Sequence, residues 1–280
     1  MRVVVTGATG LLGNALVRAA RDRGHEVCAL ERKTLDVTDS AAVERRIRDE
    51  KPCVIFHCAA YTAVDQAEEE PEKAMRINCD GTRNVALAAA QIGAVIFYPS
   101  TDYVFDGQSS RPYRPGDPTA PINAYGVSKL AGEQVLSLSG CDWAVVRTSW
   151  LYGSGGRDFV DIVLDAQRSS NAMAIVDDQV GCPTWTGSLA PEIIALAEAG
   201  AAGTCHLSDR ESATWLEFAM AVVEEASIGL ELIATTTLDW DAPAPRPPYS
   251  VLDCSESERI LGYPMPAWRA SLATYLSEVL

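Results

Sequence analysis

The chain has 280 residues, 48% of them hydrophobic, and a formal net charge of -15. That is apolar material enough for one large α/β domain, or for a large domain and a small one. Lysine occurs only as Lys33, Lys51, Lys73 and Lys129, and this acidity argues against a nucleic-acid partner, because polyanion binding needs clustered cations.

The apolar run VALAAAQIGAVIF at 85–97 contains Gln91 and Gly93 and is too short to span a membrane, while MRVVVTGATG lacks the regions of a signal peptide. A cytoplasmic protein without a membrane partner is expected. The 8 cysteines stand singly with no CxxC pair, so free thiols are expected, with neither a disulfide framework nor a metal.

In chain order, strands are predicted at RVVVT, EVCAL, CVIFHC, AVIFYPS and WAVVRTS. Helical patterns lie between them, at about 10–23, 40–49, 71–92 and 123–138. Leu12, Leu16 and Ala19 form an apolar stripe on the first helix, and the third runs from Pro71 to a stop at Gly93. Strands alternating with helices predict a parallel sheet covered on both faces. Beyond about residue 150 the elements shorten between loops such as LYGSGGRD and WDAPAPRPPYS, which predicts a smaller second lobe. The fold class is therefore α/β: a Rossmann-like doubly wound parallel sheet with a smaller C-terminal α/β substrate lobe. The expected division is 1–150 for the sheet domain and mainly 151–280 for the lobe, with a segment near 174–200 returning to the sheet domain.

In RVVVTGATGLLG a strand runs straight into Gly7, Gly10 and Gly13, and a helix follows. Glycines there permit a tight turn and close backbone approach, so that helix N-terminal amides and the helix dipole face a pyrophosphate. The second strand ends near Glu31 and Arg32. A carboxylate suits ribose hydroxyls and a guanidinium suits a 2′-phosphate, so the cofactor is NAD(P)H, with Arg32 tipping the expectation to NADPH and NADH also admitted.

AYGVSKLAGE places Tyr125 and Lys129 one turn apart on one helix face. An unperturbed phenol has a pKa of about 10, and a nearby ammonium favours its ionised form. Lys129 is therefore expected to bring Tyr125 into working range for proton transfer. Ser100 and Thr101 follow the fourth strand, where open α/β sheets bind ligands, and a hydroxyl there can donate to a substrate carbonyl.

Together with HCAAYTAVDQAE, RINCDGTRNVA, STDYVFDG, VRTSWLYG, VDDQVGCPTWT and APRPPYSVLD, these segments resemble the extended short-chain dehydrogenase/reductase family, and within it the branch acting on dTDP-4-keto-6-deoxy sugars. The resemblance implies reduction of the 4-keto group of dTDP-4-dehydro-β-L-rhamnose to dTDP-L-rhamnose. It implies Thr101, Tyr125 and Lys129 as the catalytic triad. Gly7, Gly10, Leu11, Leu12, Asp36, Val37, Ala59, Ala60 and Tyr61 would contact the cofactor, with Asp36 and Val37 near adenine. Thr62, Val64, Tyr103 and Trp150 would line the sugar site, and Asn78 would brace the central strands. Asp158 stands where the family more often has asparagine. Some relatives form magnesium-bridged dimers through glutamates; no matching set is found here, and a homodimer is left open.

Arg246 is a candidate grip for the substrate diphosphate. Trp150 is expected at the substrate, whereas Trp215, Phe218, Trp268 and Leu272 are expected in the core. His57 and His206 read as satisfied core histidines. Two rivals remain: a sugar-nucleotide epimerase or dehydratase on the same fold, and a non-catalytic dinucleotide-binding regulatory subunit. A dehydratase would need Asp-Glu after the threonine, but Asp102 is followed by Tyr103.

Overall fold

The computed structural model describes residues 1–169 and 172–280. The five apolar segments form strands β1 (Arg2–Thr6), β2 (Glu26–Leu30), β3 (Val54–His57), β4 (Val95–Thr101) and β5 (Trp143–Thr148). A sixth strand, Gly203–His206, pairs with β5, and the sheet runs β2, β1, β3, β4, β5, Gly203–His206 with every pair parallel. The chain reverses its direction of winding at β1, so a crevice opens beyond the carboxyl ends of β1 and β3.

Helices cover both faces. On one, Leu12 and Leu16 of helix α1 (Leu11–Asp22) share a core with Val3, Val5, Phe56 and Val146 of the sheet and Leu189, Ile193 and Leu196 of the helix Thr186–Glu198. On the other, Val43 and Ile47 join Val85 and Ala89 over Val4, Ile55 and Ile96. The helix Thr186–Glu198 and the strand Gly203–His206 thus pack with the sheet. Ala172–Val176, whose last three residues open the expected segment 174–200, pairs with Glu231–Thr235 in a separate two-stranded sheet. Phe218, Trp268 and Leu272 are buried in a second core with Tyr152, Val160 and Tyr275.

The helix expected over 71–92 is interrupted. Pro71–Met75 and Gly81–Ile92 flank one π-helical turn, Arg76–Asp80, and the run ends at Gly93 with φ 69°. A π turn re-aims one side chain out of helical register. Here it buries Asn78, whose Oδ1 accepts from Tyr61 N at 2.7 Å while Nδ2 donates to Tyr61 O at 3.0 Å and Ser128 Oγ at 2.8 Å. Asn78 therefore ties the loop after β3 to the helix Ala124–Ser137, and its carbonyl accepts from Tyr98 Oη of β4 at 3.4 Å.

All 8 cysteines are free. Among the described residues no helix is long and apolar enough to cross a membrane, and no group of three or more His, Cys, Asp or Glu could hold a metal ion.

Candidate active site

A cleft of about 960 Å³ opens at the carboxyl ends of the strands. At its floor β1 turns through Gly7, φ 63°, into α1. The turn is tight: a Cβ on Gly13 would meet Gly7 O at 2.2 Å, and one on Gly7 would meet Ala59 N at 2.6 Å. Gly10 caps α1 without a side-chain hydrogen bond, which leaves first-turn amides for an anionic ligand. Across the sheet from this turn, at the end of β5 and paired with Thr101, Thr148 Oγ1 is buried at the cleft wall without a hydrogen-bond partner among the described residues. An uncapped helix start and a turn without room for side chains fit the pyrophosphate of a dinucleotide, and the orphan hydroxyl lies at the other end of the cleft, beside Thr101.

Gly7, Gly10, Leu11, Leu12, Gly13, Arg32, Asp36, Val37, Ala59, Ala60 and Tyr61 all line this cleft. So do Thr62, Val64, Thr101, Tyr103, Tyr125, Lys129 and Trp150. Glu31 does not; its backbone N–H and carbonyl close a turn with the Thr34 hydroxyl at 3.1 and 2.9 Å, and Arg32 is the residue turned to the cleft. Arg246 also lies outside, in an adjoining cavity of about 580 Å³ that shares Tyr103 and Trp215 with the cleft. Its guanidinium donates to both oxygens of Asp65, at 2.5 and 2.8 Å.

The reacting groups come from two elements. β4 delivers Ser100 and Thr101, and the two hydroxyls part company. Ser100 donates to Glu133 Oε1 at 2.5 Å, inside a buried pair with Arg147 at 2.7 Å, and is thereby spent behind the site. Thr101 faces the cleft. The helix Ala124–Ser137 begins at Asn123, whose side chain accepts from Gly126 N at 2.7 Å. It packs so closely that a Cβ on Gly126 would meet Tyr103 O at 2.2 Å, which explains the small residue beside the phenol. Tyr125 and Tyr103 meet edge-on, ring centroids 6.2 Å apart.

The electrostatics differ from the expectation. Burial pushes the Tyr125 phenol above its ordinary range, with the Thr101 hydroxyl acting in the opposite sense. The Lys129 ammonium donates to Pro99 O at 2.7 Å and sits 3.9 Å from the Tyr98 ring centroid. Burial lowers its own pKa to about 7, offset in part by Glu133. Spacing of four residues puts both groups on one face, but the ammonium's hydrogen bond goes to the strand and not to the phenol.

Sequence reasoning missed several lining residues. Trp215, expected in the core, stacks on Trp150 with centroids 3.7 Å apart and lines both cavities. Arg76, exposed on the π turn, joins Arg32 in lining the cleft; the Asp36 carboxyl is held down by the Thr38 backbone and side-chain hydrogen bonds and, less strongly, by these two charges. Asp158 is buried and accepts from Gly153 N at 2.6 Å and Asp161 N at 3.1 Å. Each carboxylate oxygen takes one backbone N–H, an arrangement that uses two acceptors where an amide has one oxygen. His57 and His206 are buried and lowered by burial to about 3, but they are only half satisfied: Nδ1 of each is bonded, to Thr6 and to the Tyr113 carbonyl, while Nε2 of each has no partner among the described residues.

Comparison with known proteins agrees with this architecture. A dTDP-4-dehydrorhamnose reductase from Streptomyces griseus is 42% identical, over 97% of this chain and 91% of its own. One from Mycobacterium tuberculosis is 39% identical, over 99% and 92%. A crystal structure of dTDP-4-dehydrorhamnose reductase from Bacillus anthracis in complex with NADP superposes with a TM-score of 0.96 at 37% identity, covering 99% of each chain. The family described as RmlD substrate binding domain matches residues 1–280, and the chain belongs to that family.

Proposed function

We propose that this chain reduces the 4-keto group of dTDP-4-dehydro-β-L-rhamnose to dTDP-L-rhamnose, with NADPH as preferred reductant and NADH also accepted. The observation that carries the reading is the meeting of Thr101, Tyr125 and Lys129 with the uncapped glycine turn in one cleft. It is supported by relatives that carry the reductase name across nearly the whole chain, and by the NADP bound to the Bacillus anthracis relative.

Gly7, Gly10, Leu11, Leu12 and Gly13 would hold the pyrophosphate, with Asp36 and Val37 at the adenine end and Arg32 at a 2′-phosphate. Ala59, Ala60 and Tyr61 would flank the dinucleotide, and Lys129 would hold the nicotinamide ribose. When bound, the nicotinamide supplies the hydride. Tyr125 gives its proton to the C4 oxygen, and its raised pKa keeps that proton in place until charge develops there. Lys129 then stabilises the phenolate, which requires its own charge. Thr62, Val64, Tyr103 and Trp150 would line the sugar, and Arg246 would grip the diphosphate after exchanging Asp65 for it.

The reading places the enzyme in the cytoplasm, with a small nucleotide sugar as partner and neither nucleic acid nor membrane. Light scattering decides between a monomer and a homodimer. The function is tested by following NADPH and NADH oxidation with dTDP-4-keto-6-deoxyhexose generated together with its epimerase. Oxidation coupled to dTDP-L-rhamnose is expected. Water loss or epimer formation without added reductant would establish the epimerase or dehydratase rival, and tight NADPH binding without oxidation the regulatory one.

A further inference from the structure

Thr101 has one hydroxyl hydrogen, and in this structure it goes to Asp102 Oδ1 at 3.0 Å. The Thr101 hydroxyl oxygen in turn accepts from Tyr103 N at 3.1 Å. Asp102 is itself 2% exposed. Its other oxygen accepts from Ser250 Oγ at 2.5 Å, and Ser250, 1% exposed, is held by its N–H to Val180 O at 2.8 Å. A carboxylate at 102 accepts only, so it takes the threonine hydrogen away from the cleft. A carboxylic acid at 102 has a hydrogen to give.

We propose that Asp102 and Ser250 are positioning residues that set the direction of the Thr101 hydroxyl. With Asp102 protonated, its acid hydrogen goes to Thr101 Oγ1, and the threonine hydrogen turns to the C4 oxygen of the substrate. With Asp102 ionised, Thr101 presents no donor there. Ser250 anchors the second carboxyl oxygen from the loop that also carries Arg246, so the catalytic threonine is tied to the substrate-gripping segment. This rests on the reductase reading above.

The surroundings hold both forms within reach. Burial pushes Asp102 up to about 7, against the hydroxyls of Ser250 and Thr101, which favour the carboxylate. The titratable groups facing it are the Tyr103 and Tyr125 phenols and the Cys182 thiol, each held in its neutral form by burial. Charges on the surrounding elements are Arg246, spent on Asp65, and Lys129, held by the Pro99 carbonyl.

The test compares single-turnover NADPH oxidation at pH 6.0 and pH 8.5 in the wild type, Asp102→Asn and Ser250→Ala. Asparagine accepts from Ser250 and donates to Thr101 at every pH. A group titrating at 7 loses its acid form by roughly 30-fold across this range, so the wild-type rate ratio should exceed that of Asp102→Asn by about that factor. Because Lys129 titrates in the same range in both proteins, the comparison between variants cancels it. Ser250→Ala removes a donor that favours the carboxylate, so its alkaline limb should move to higher pH. Equal ratios in wild type and Asp102→Asn, or a Ser250→Ala profile superimposing on wild type, overturns the proposal. Should Asp102→Asn not fold, as judged by thermal melting and NADPH affinity, Ser250→Ala decides alone. A wild type that leaves the keto sugar unreduced sinks the reductase reading instead.

Discussion

Two alanine substitutions in the glycine turn should fail in different ways. A Cβ on Gly13 would lie 2.2 Å from Gly7 O, 2.9 Å from Gly7 C and 3.0 Å from Ala8 Cα. These are backbone atoms, so α1 has to withdraw from the turn by about 1 Å, at a cost of about 1–3 kcal/mol for overpacking. For a chain of this size that is a fall in Tm of roughly 2–12 °C. A Cβ on Gly10 meets only Gly7 O, at 3.4 Å, and φ -77°, ψ 169° suits alanine. Apart from its chain neighbours, no other atom lies within 4 Å of that methyl, which would occupy space proposed for the pyrophosphate. Gly10→Ala should therefore melt within about 2 °C of wild type while losing NADPH affinity by 10-fold or more, an estimate of about 1.4 kcal/mol. Gly13→Ala should lose both. Melting by calorimetry and NADPH titration by fluorescence give the two readings. Wild-type NADPH affinity in both variants would refute the phosphate cradle.

Other substitutions separate the remaining roles. Tyr125→Phe should lower kcat by about 10²–10⁴ and leave NADPH affinity unchanged, since it removes a proton donor and little packing; wild-type turnover would remove the phenol from the mechanism. Arg246→Ala should raise KM for the nucleotide sugar by roughly 10- to 100-fold, the worth of a charge-assisted hydrogen bond, with NADPH affinity intact. An unchanged KM would return Arg246 to a latch on Asp65 alone. His206 has its pKa lowered from 6.5 to about 3 in the folded chain. Between those values the unfolded chain holds a proton that the folded one lacks, so stability is full above 6.5 and is lost as pH falls toward 3. His206→Asn should reduce the acid-side slope of stability by up to about 1.4 kcal/mol per pH unit, read from urea melts between pH 6 and 4. Parallel slopes would mean that His206 already takes up a proton when folded.

The sheet was legible because its strands are continuous apolar runs buried on both faces, as β3 is, and because the glycines of the first turn are tied to local backbone geometry. The order of motifs along the chain then identified the cleft. What was not legible depends on contacts between distant residues. The strand Gly203–His206 carries little apolar signal of its own and exists because β5 offers it an edge. The π turn preserves a helical composition and is seen only through Asn78 reaching Tyr61 and Ser128. Trp215 lies at the apolar spacing of a core helix, yet its face meets Trp150, 65 positions earlier. The direction of the Lys129 ammonium is of the same kind. Periodicity assigns a side chain to a face, but the Pro99 carbonyl decides where its charge ends.

Hydride transfer to C4 of the sugar is predicted in the cleft where Tyr125 holds its proton. Single-turnover reaction of the wild type with NADPH deuterated at the transferring position of C4, analysed by mass spectrometry and NMR of the product, tests it most directly. One deuterium on C4 of dTDP-L-rhamnose is the predicted result. Product without deuterium, or deuterium at another sugar carbon, would mean that the hydride does not pass from the nicotinamide to C4.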